Sequence, residues 1–265
     1  MKTRYDCGIV RRIKDFVAAP FHSPSTRFVA RLRRSGVKVG RGVVFRDPSS
    51  VTIDLTRPSL VEIGDRVDIN VNFTIMTHDF ASGVFLHKYG ELVNSSGAVR
   101  LGSNIYIGRD VTILKGVTVG DNCIIGLGSV VMHDVPSDSV VAGCPARVIS
   151  TLDDYFAKRK RRSEAEAFEY ARSIRDRFGR APRPEDFWEE FPLFVSGDRI
   201  DEYPELPIRR QLGEAYESFC RSHRAPYDGF DDFLTRALSD SGEIPPPLLH
   251  FATVGVTVCE ILSAA

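Results

Sequence analysis

The tripeptide Thr77-His78-Asp79 is the stretch of this chain best suited to moving a proton. An imidazole has a reference pKa of about 6.5, so at neutral pH it can take a proton from a hydroxyl and pass it on. Two carboxylates share the segment, Asp79 and Glu91. Either could orient the imidazole or bind substrate hydroxyls, and either could equally be solvated loop charge. Asn72, just upstream, offers an amide to an acceptor hydroxyl or to a backbone corner. Cysteine chemistry is not indicated. The five cysteines (7, 123, 144, 220, 259) are scattered and form no C-x-x-C, which suits a reducing compartment and gives neither a disulfide framework nor a zinc site.

What positions these groups is a repeat. From Val99 to Val131 an aliphatic residue returns every sixth position, at Leu101, Ile107, Ile113, Val119, Ile125 and Val131, with Gly after it at 102, 108, 120 and 126. A period of six fits neither a helix nor an alternating strand. It is the mark of a parallel β-helix, in which each hexad is one short strand and one tight corner. Gly, or a small polar residue such as Asn104, Asp110 or Asn122, allows the corner. The same pattern begins at residues 37–40 and 43–45, loosens at 51–54, and is regular at Ile63, Ile69 and Ile75. It breaks between His78 and Ala98. An insertion of that length must leave through a corner as an external loop, where function tends to reside. Asp54 belongs to an earlier coil that would stack near Asn72.

Outside the repeat the periodicity is helical. Residues 8–34 predict helix, with Ile9, Ile13, Phe16 and Val17 on one face, Phe28, Val29 and Leu32 on another, and breaks at Pro20 and Pro24. Residues 1–41 carry eleven Lys and Arg against Asp6 and Asp15. That basic face, which includes Arg11, Arg12, Lys14, Arg27, Arg31, Arg33 and Arg34, is either solvated or a peripheral contact with anionic lipid. Past Thr151, Ser163 and Glu166 read as a capping box opening a helix whose buried face is Phe168, Ala171, Ile174 and Phe178. Ile208, Leu212, Ala215 and Phe219 predict a second helix, and Phe230, Phe233, Leu234, Ala237 and Leu238 a third. Residues 244–247 form a stiff Pro-rich linker, and the closing β-branched run at 253–261 is strand or helix. The expected organisation is an N-terminal helical segment (1–36), a β-helix (37–150) and a C-terminal helical domain (151–265).

Several segments together carry a family resemblance: V-E-I-G-D (61–65), T-H-D (77–79), I-Y-I-G (105–108), V-T-V-G-D-N (117–122), I-I-G-L-G-S-V-V (124–131) and A-G-C-P-A-R-V-I (142–149). Over about a third of its length the chain resembles the hexapeptide-repeat acyltransferases, in particular the maltose and galactoside O-acetyltransferase branch. The resemblance implies a mainly β fold, a left-handed parallel β-helix, and a homotrimer with acetyl-CoA lying between neighbouring β-helices. It places the catalytic base at His78, with direct transfer to a hydroxyl and no covalent enzyme intermediate. For the acyl donor it implies Tyr106, Arg109, the backbone at Gly126, Leu127 and Gly128, and His133 and Arg147 near the phosphates, since guanidinium forks suit phosphate oxygens. Arg109 and Arg147 also read as plain surface charge. Two positions depart from the family. Tyr106 stands where Trp is frequent, and Ser150 where a second basic residue is common, so that Lys115 could supply that charge. Acceptor contacts are expected among Asn72, Asp79, Glu91 and Asp54.

Composition bounds the alternatives. The 265 residues are 43 % hydrophobic and 26 % charged with no net charge, which describes a globular chain and gives no case for nucleic acid. No apolar h-region follows the N-terminal basic residues, and the longest apolar tract, 248–262, is shorter than a spanning helix, so a cytoplasmic protein is expected. A β-helix carbonic anhydrase would need three converging histidines, and no metal is expected. A serine-type or other small-molecule CoA acyltransferase, and a non-catalytic β-helix assembly module, are the competing readings. The expected activity is O-acetyl transfer from acetyl-CoA to a sugar or polysaccharide precursor.

Overall fold

The computed structural model describes residues 23–239. The expectations for Ile9 to Val17 and their basic neighbours, for Cys7 and Cys259, and for residues 244–262 lie outside these. By internal contacts the chain divides at Arg159 and Lys160 into two units. Among the described residues no helix is long and apolar enough to cross a membrane.

In the first unit four coils each give one short strand to each of three sheets, and a fifth adds a strand to the second sheet alone. Sheet one contains Lys38–Val39, Val61–Ile63, Val99–Leu101 and Thr118–Val119. Sheet two contains Val44–Phe45, Val67–Ile69, Ile105–Ile107, Cys123–Ile125 and Ser139–Ala142, and sheet three Thr52–Ile53, Thr74–Ile75, Thr112–Ile113 and Val130–Val131. All these pairings are parallel. The register puts Ile53, Ile75, Ile113 and Val131 in one column and Phe45, Ile69, Ile107, Ile125 and Val141 in another, and all of them are buried. Burial of these columns is the main favourable term for a fold whose strands are too short to pair stably alone.

Corner chemistry follows the sequence. Asn72, Asn104, Asp110, Asn122 and Asp138 all adopt φ between +56° and +58°, a left-handed conformation that Asn and Asp tolerate better than other side chains. Their side chains bond coil to coil: Asn72 Nδ2 donates to Asp110 Oδ1 (2.7 Å), Asn104 Nδ2 to Asn122 Oδ1 (2.8 Å) and Asn122 Nδ2 to Asp138 Oδ1 (2.9 Å). The two ends of the solenoid are closed differently. At the start, Pro24 is the first residue of the helix Pro24–Arg34, capped by Ser23, and Val29 and Leu32 pack into the β-helix core. At the other end, Arg147–Thr151 turns back antiparallel against Ser139–Ala142, which covers an edge that would otherwise pair with other chains.

The predicted helix starting at Ser163 is corrected. One helix runs Leu152–Phe178, its first turn bonded to Thr151, whose Oγ1 accepts from Asp154 N at 3.1 Å. Ser163 lies inside it and donates back to the Lys160 carbonyl, so no capping box forms. Ala167, Phe168, Ala171 and Ile174 are buried, but Phe178 is exposed at the helix end beneath the Arg180 guanidinium. The expected helix through Ile208 and Phe219 is two helices, Ile208–Leu212 and Tyr216–Ser222, because Gly213 takes φ +49° between them. Phe230–Ser239 forms as expected. The second unit closes around Phe187, Phe194, Phe230 and Phe233, whose rings meet at 5.0–5.9 Å.

Candidate active site

The break in the repeat begins at His78, three residues past the sheet-three strand Thr74–Ile75. His78–Asp79 forms a two-residue antiparallel ladder with Ser95–Ser96, with His78 opposite Ser96. Gly97 N then donates to the Thr77 carbonyl at 2.9 Å and returns the chain to the solenoid. Between the two arms lies a helix, Ser82–Tyr89, ended by Gly90 at φ +73°. The repeat period cannot reveal this helix, because the insertion does not share it.

Asp54 is the decisive neighbour. The register sets Ile53 against Ile75, so Asp54 emerges beneath Thr77 and His78 rather than beside Asn72. Its Oδ2 lies 2.5 Å from His78 Nδ1 and also accepts from Thr77 N (3.3 Å) and from the Thr77 hydroxyl. Its Oδ1 accepts from Thr56 N (3.0 Å) and Thr56 Oγ1 (2.6 Å). Asp54 is 8 % exposed and Thr77 fully buried. Burial alone would raise the carboxyl pKa; the bonds from Thr56, Thr77 and His78 outweigh it and hold the group well below the ordinary carboxylate range. The carboxylate is therefore ionised and can only accept. It selects the imidazole tautomer with hydrogen on Nδ1 and leaves the Nε2 lone pair free for a proton.

The remaining candidates separate by corner. Asp79 does not orient His78: its Oδ2 pairs with Lys115 and its Oδ1 accepts from Ala81 N at 3.0 Å. Lys115 and His133 stand two residues past Ile113 and Val131, so by register they follow Thr77 up the corner between sheets three and one. Glu91 is exposed just beyond Gly90. Asn72 lies on the other corner, between sheets two and three, with its amide on Asp110 and its backbone N–H on Ser50 Oγ (2.9 Å). Arg109 and the Gly126-Leu127-Gly128 turn share that second corner, where Gly128 N donates to the Arg109 carbonyl at 2.8 Å. Leu127 is 77 % exposed there, and a Cβ on Gly108 would meet Leu127 N at 2.7 Å, so Gly is required where the coils touch. Tyr106 is half-exposed on the outer face of sheet two, its hydroxyl 3.4 Å from Asn70 Nδ2. Arg147 is exposed on the closing strand. One chain thus holds the candidate residues in two groups, the Asp54–His78 pair at one corner and the Arg109–Gly128 turn at another.

The partnership of Asp54 with His78 was not read from sequence, although a signal exists. Val51-Thr-Ile-Asp54 aligns with Phe73-Thr-Ile-Met76, and that alignment puts Asp54 two residues from His78. Among the described residues no group of three His, Cys, Asp or Glu side chains is placed to hold a metal ion.

No protein-family model matches the chain. Among curated proteins, galactoside O-acetyltransferase of Escherichia coli (strain K12) is 38 % identical over 120 residues, which is 45 % of this chain and 56 % of that protein. Protein CapG of Staphylococcus aureus is 36 % identical over 128 residues, covering 48 % of this chain and 73 % of its own length. Among solved structures, a maltose O-acetyltransferase from Clostridium difficile 630 aligns at 25 % identity with a TM-score of 0.39, over 56 % of this chain and 85 % of that one. The chain thus spans little more than half of the galactoside enzyme it matches.

Proposed function

The chain belongs to the hexapeptide-repeat acetyltransferases of the galactoside and maltose O-acetyltransferase kind, and from that premise we propose that it moves an acetyl group from acetyl-CoA to a hydroxyl of a sugar or polysaccharide precursor. The observation that carries this reading is the pairing of the partly buried His78 with the buried Asp54, placed where the repeat opens outward. His78 Nε2 takes the proton of the acceptor hydroxyl as its oxygen attacks the thioester carbonyl. Asp54 keeps the ring in the tautomer that can do so and offsets the charge that forms on it. The same nitrogen returns the proton to the departing thiolate, so no side chain is acylated and no cysteine is needed.

The acyl donor is assigned to Arg147 and His133 for its phosphates, to Arg109 and the Gly126–Gly128 turn for its pantetheine arm, and to Tyr106 at the thioester end. Gly128 takes φ +67° and a Cβ there would meet nothing within 4 Å, which leaves an open backbone surface for such an arm. On a single chain that turn and His78 occupy different corners. A homotrimer of left-handed β-helices, with the donor lying between the turn of one copy and the His78 corner of the next, would unite them. In this reading the protein works in the cytoplasm, Glu91 and Asp79 border the acceptor, and the exposed Arg27, Arg31 and Arg34 face allows peripheral contact with anionic lipid.

The test is His78→Ala. The variant should fold and bind CoA, and lose acetyl transfer to sugars by roughly 10²–10⁴-fold. Retention of near-normal turnover overturns the assignment of the base, and transfer to serine with none to any sugar overturns the substrate class.

A further inference from the structure

Phe80 is an anomaly beside the candidate base. Its ring is 83 % exposed, more than Val84, Leu92 or Val93 on the same excursion, which are 51–66 % exposed. Yet it is not remote from the chemistry. Its centroid lies 5.0 Å from that of the His78 imidazole, with the ring planes 72° apart. Within a single chain a phenylalanine so placed contributes little to folding, because almost none of its apolar area leaves water. The chain also has a ready means of burying aromatic rings, as Phe45 and Phe73 show inside the same unit, each 2 % exposed or less. His78 is already held at Nδ1 by Asp54, so the tautomer does not need Phe80.

We propose that Phe80 is the acceptor platform: it stacks the apolar C–H face of a pyranose ring and so brings a ring hydroxyl to His78 Nε2. This rests on the reading of the protein as a sugar O-acetyltransferase, and it adds that the acceptor is recognised as a closed ring. Pyranoses carry polar edges and a C–H face, and an exposed aromatic ring satisfies that face while leaving the hydroxyls to polar groups. An orthogonal pair of rings suits the task. A sugar lying flat on Phe80 would sit beside the imidazole, within about one ring's width of the candidate base. On this reading the polar partners for the sugar edge are at hand in Asp79 and Lys115, which pair with each other at the start of the excursion.

The test compares closed and open forms of one acceptor. Acetyl-CoA-dependent transfer is measured with galactose, glucose and mannose, each beside its alditol, which has the hydroxyls but no ring face. For Phe80→Ala the ratio of kcat/KM for the pyranose over that for its alditol should fall at least tenfold, while Phe80→Trp should restore it to within about threefold, because Trp supplies a stacking face. An equal loss on pyranose and alditol means that Phe80 only braces His78 and overturns the proposal. Loss of the native oligomeric mass in light scattering of Phe80→Ala also overturns it, since the ring would then serve a contact between copies. If the unaltered protein transfers acetyl to none of these sugars and to no oligosaccharide or nucleotide sugar, both this proposal and the sugar reading beneath it fall. Transfer that depends on His78 but shows an unchanged ratio in Phe80→Ala defeats this proposal alone.

Discussion

At the residue scale, Asp54 concentrates the physics of the site. Five donor contacts converge on its two oxygens, from Thr56, Thr77 and His78. Asp54→Asn replaces an acceptor-only group with one that can also donate, and so releases the tautomer of His78. Acetyl transfer should fall by about 10²-fold or more while CoA binding persists. The same carboxylate makes stability depend on pH. Its folded-state pKa is depressed by those hydrogen bonds despite burial. Its contribution is therefore fully present above the unfolded value of about 3.9 and is lost as pH falls from there through the folded value. The gap in urea midpoint between the protein and Asp54→Asn should narrow as pH falls below about 3.9. A gap that stays open or widens in that acid range would contradict the depressed pKa.

At the element scale, the excursion depends on a tight exit. A Cβ on Gly97 would come within 2.6 Å of Gly116 N and 2.9 Å of Gly116 Cα, both backbone atoms that cannot turn aside. Gly97 also donates to the Thr77 carbonyl, one residue from the base. Gly97→Ala should destabilise the protein by about 1–3 kcal/mol and lower transfer activity more than CoA affinity. Gly83→Ala provides the contrast. Gly83 lies in the Ser82–Tyr89 helix with nothing within 4 Å of a new Cβ, so thermal denaturation should show no loss and a gain of up to about 1 kcal/mol. Together the two variants separate a close backbone approach at the exit from a glycine in open space.

At the scale of the whole molecule, the two units rest on different cores. The first is a stack of aliphatic columns with Phe45 and Phe73, and each coil depends on its neighbours. The second is an aromatic cluster in which Phe233, fully buried, meets Phe168, Phe187, Phe194, Tyr227 and Phe230 at 5.2–5.9 Å. Phe233→Ala should cost about 3–5 kcal/mol of that unit's stability by cavity formation. Calorimetry that resolves a lowered second transition, with the first unmoved, would show that the units melt separately. The candidate site occupies the first unit alone, so transfer activity should survive the Phe233→Ala change at temperatures below that transition.

The hexad period was sufficient by itself to define the strands, the corners at Asn104, Asp110 and Asn122, and the point where the pattern fails at His78. Those features are local or periodic, and six-residue spacing with left-handed corner residues leaves few other solutions. The acceptor residues chosen for their chemistry and the donor residues chosen from resemblance could be placed on the sequence but not on a corner. Only the register decided that Asn72 and Arg109 stand apart from His78, and that Asp54 stands under it. The irregular residues around Pro48 and Pro58 hide the stacking of the first coil, and with it the partner of the base. The helix Leu152–Phe178 and the break at Gly213 were likewise settled by tertiary packing, because capping signals such as Ser163 and Glu166 are weak where a helix already continues through them. Phe80 is the clearest case. In sequence it is one more aromatic residue in a loop; in three dimensions it stands edge to face with the base and open to water. The difference is one of range. Periodicity reports what each residue does for its own coil, whereas a site is made by residues that meet across coils, 24 positions apart for Asp54 and His78.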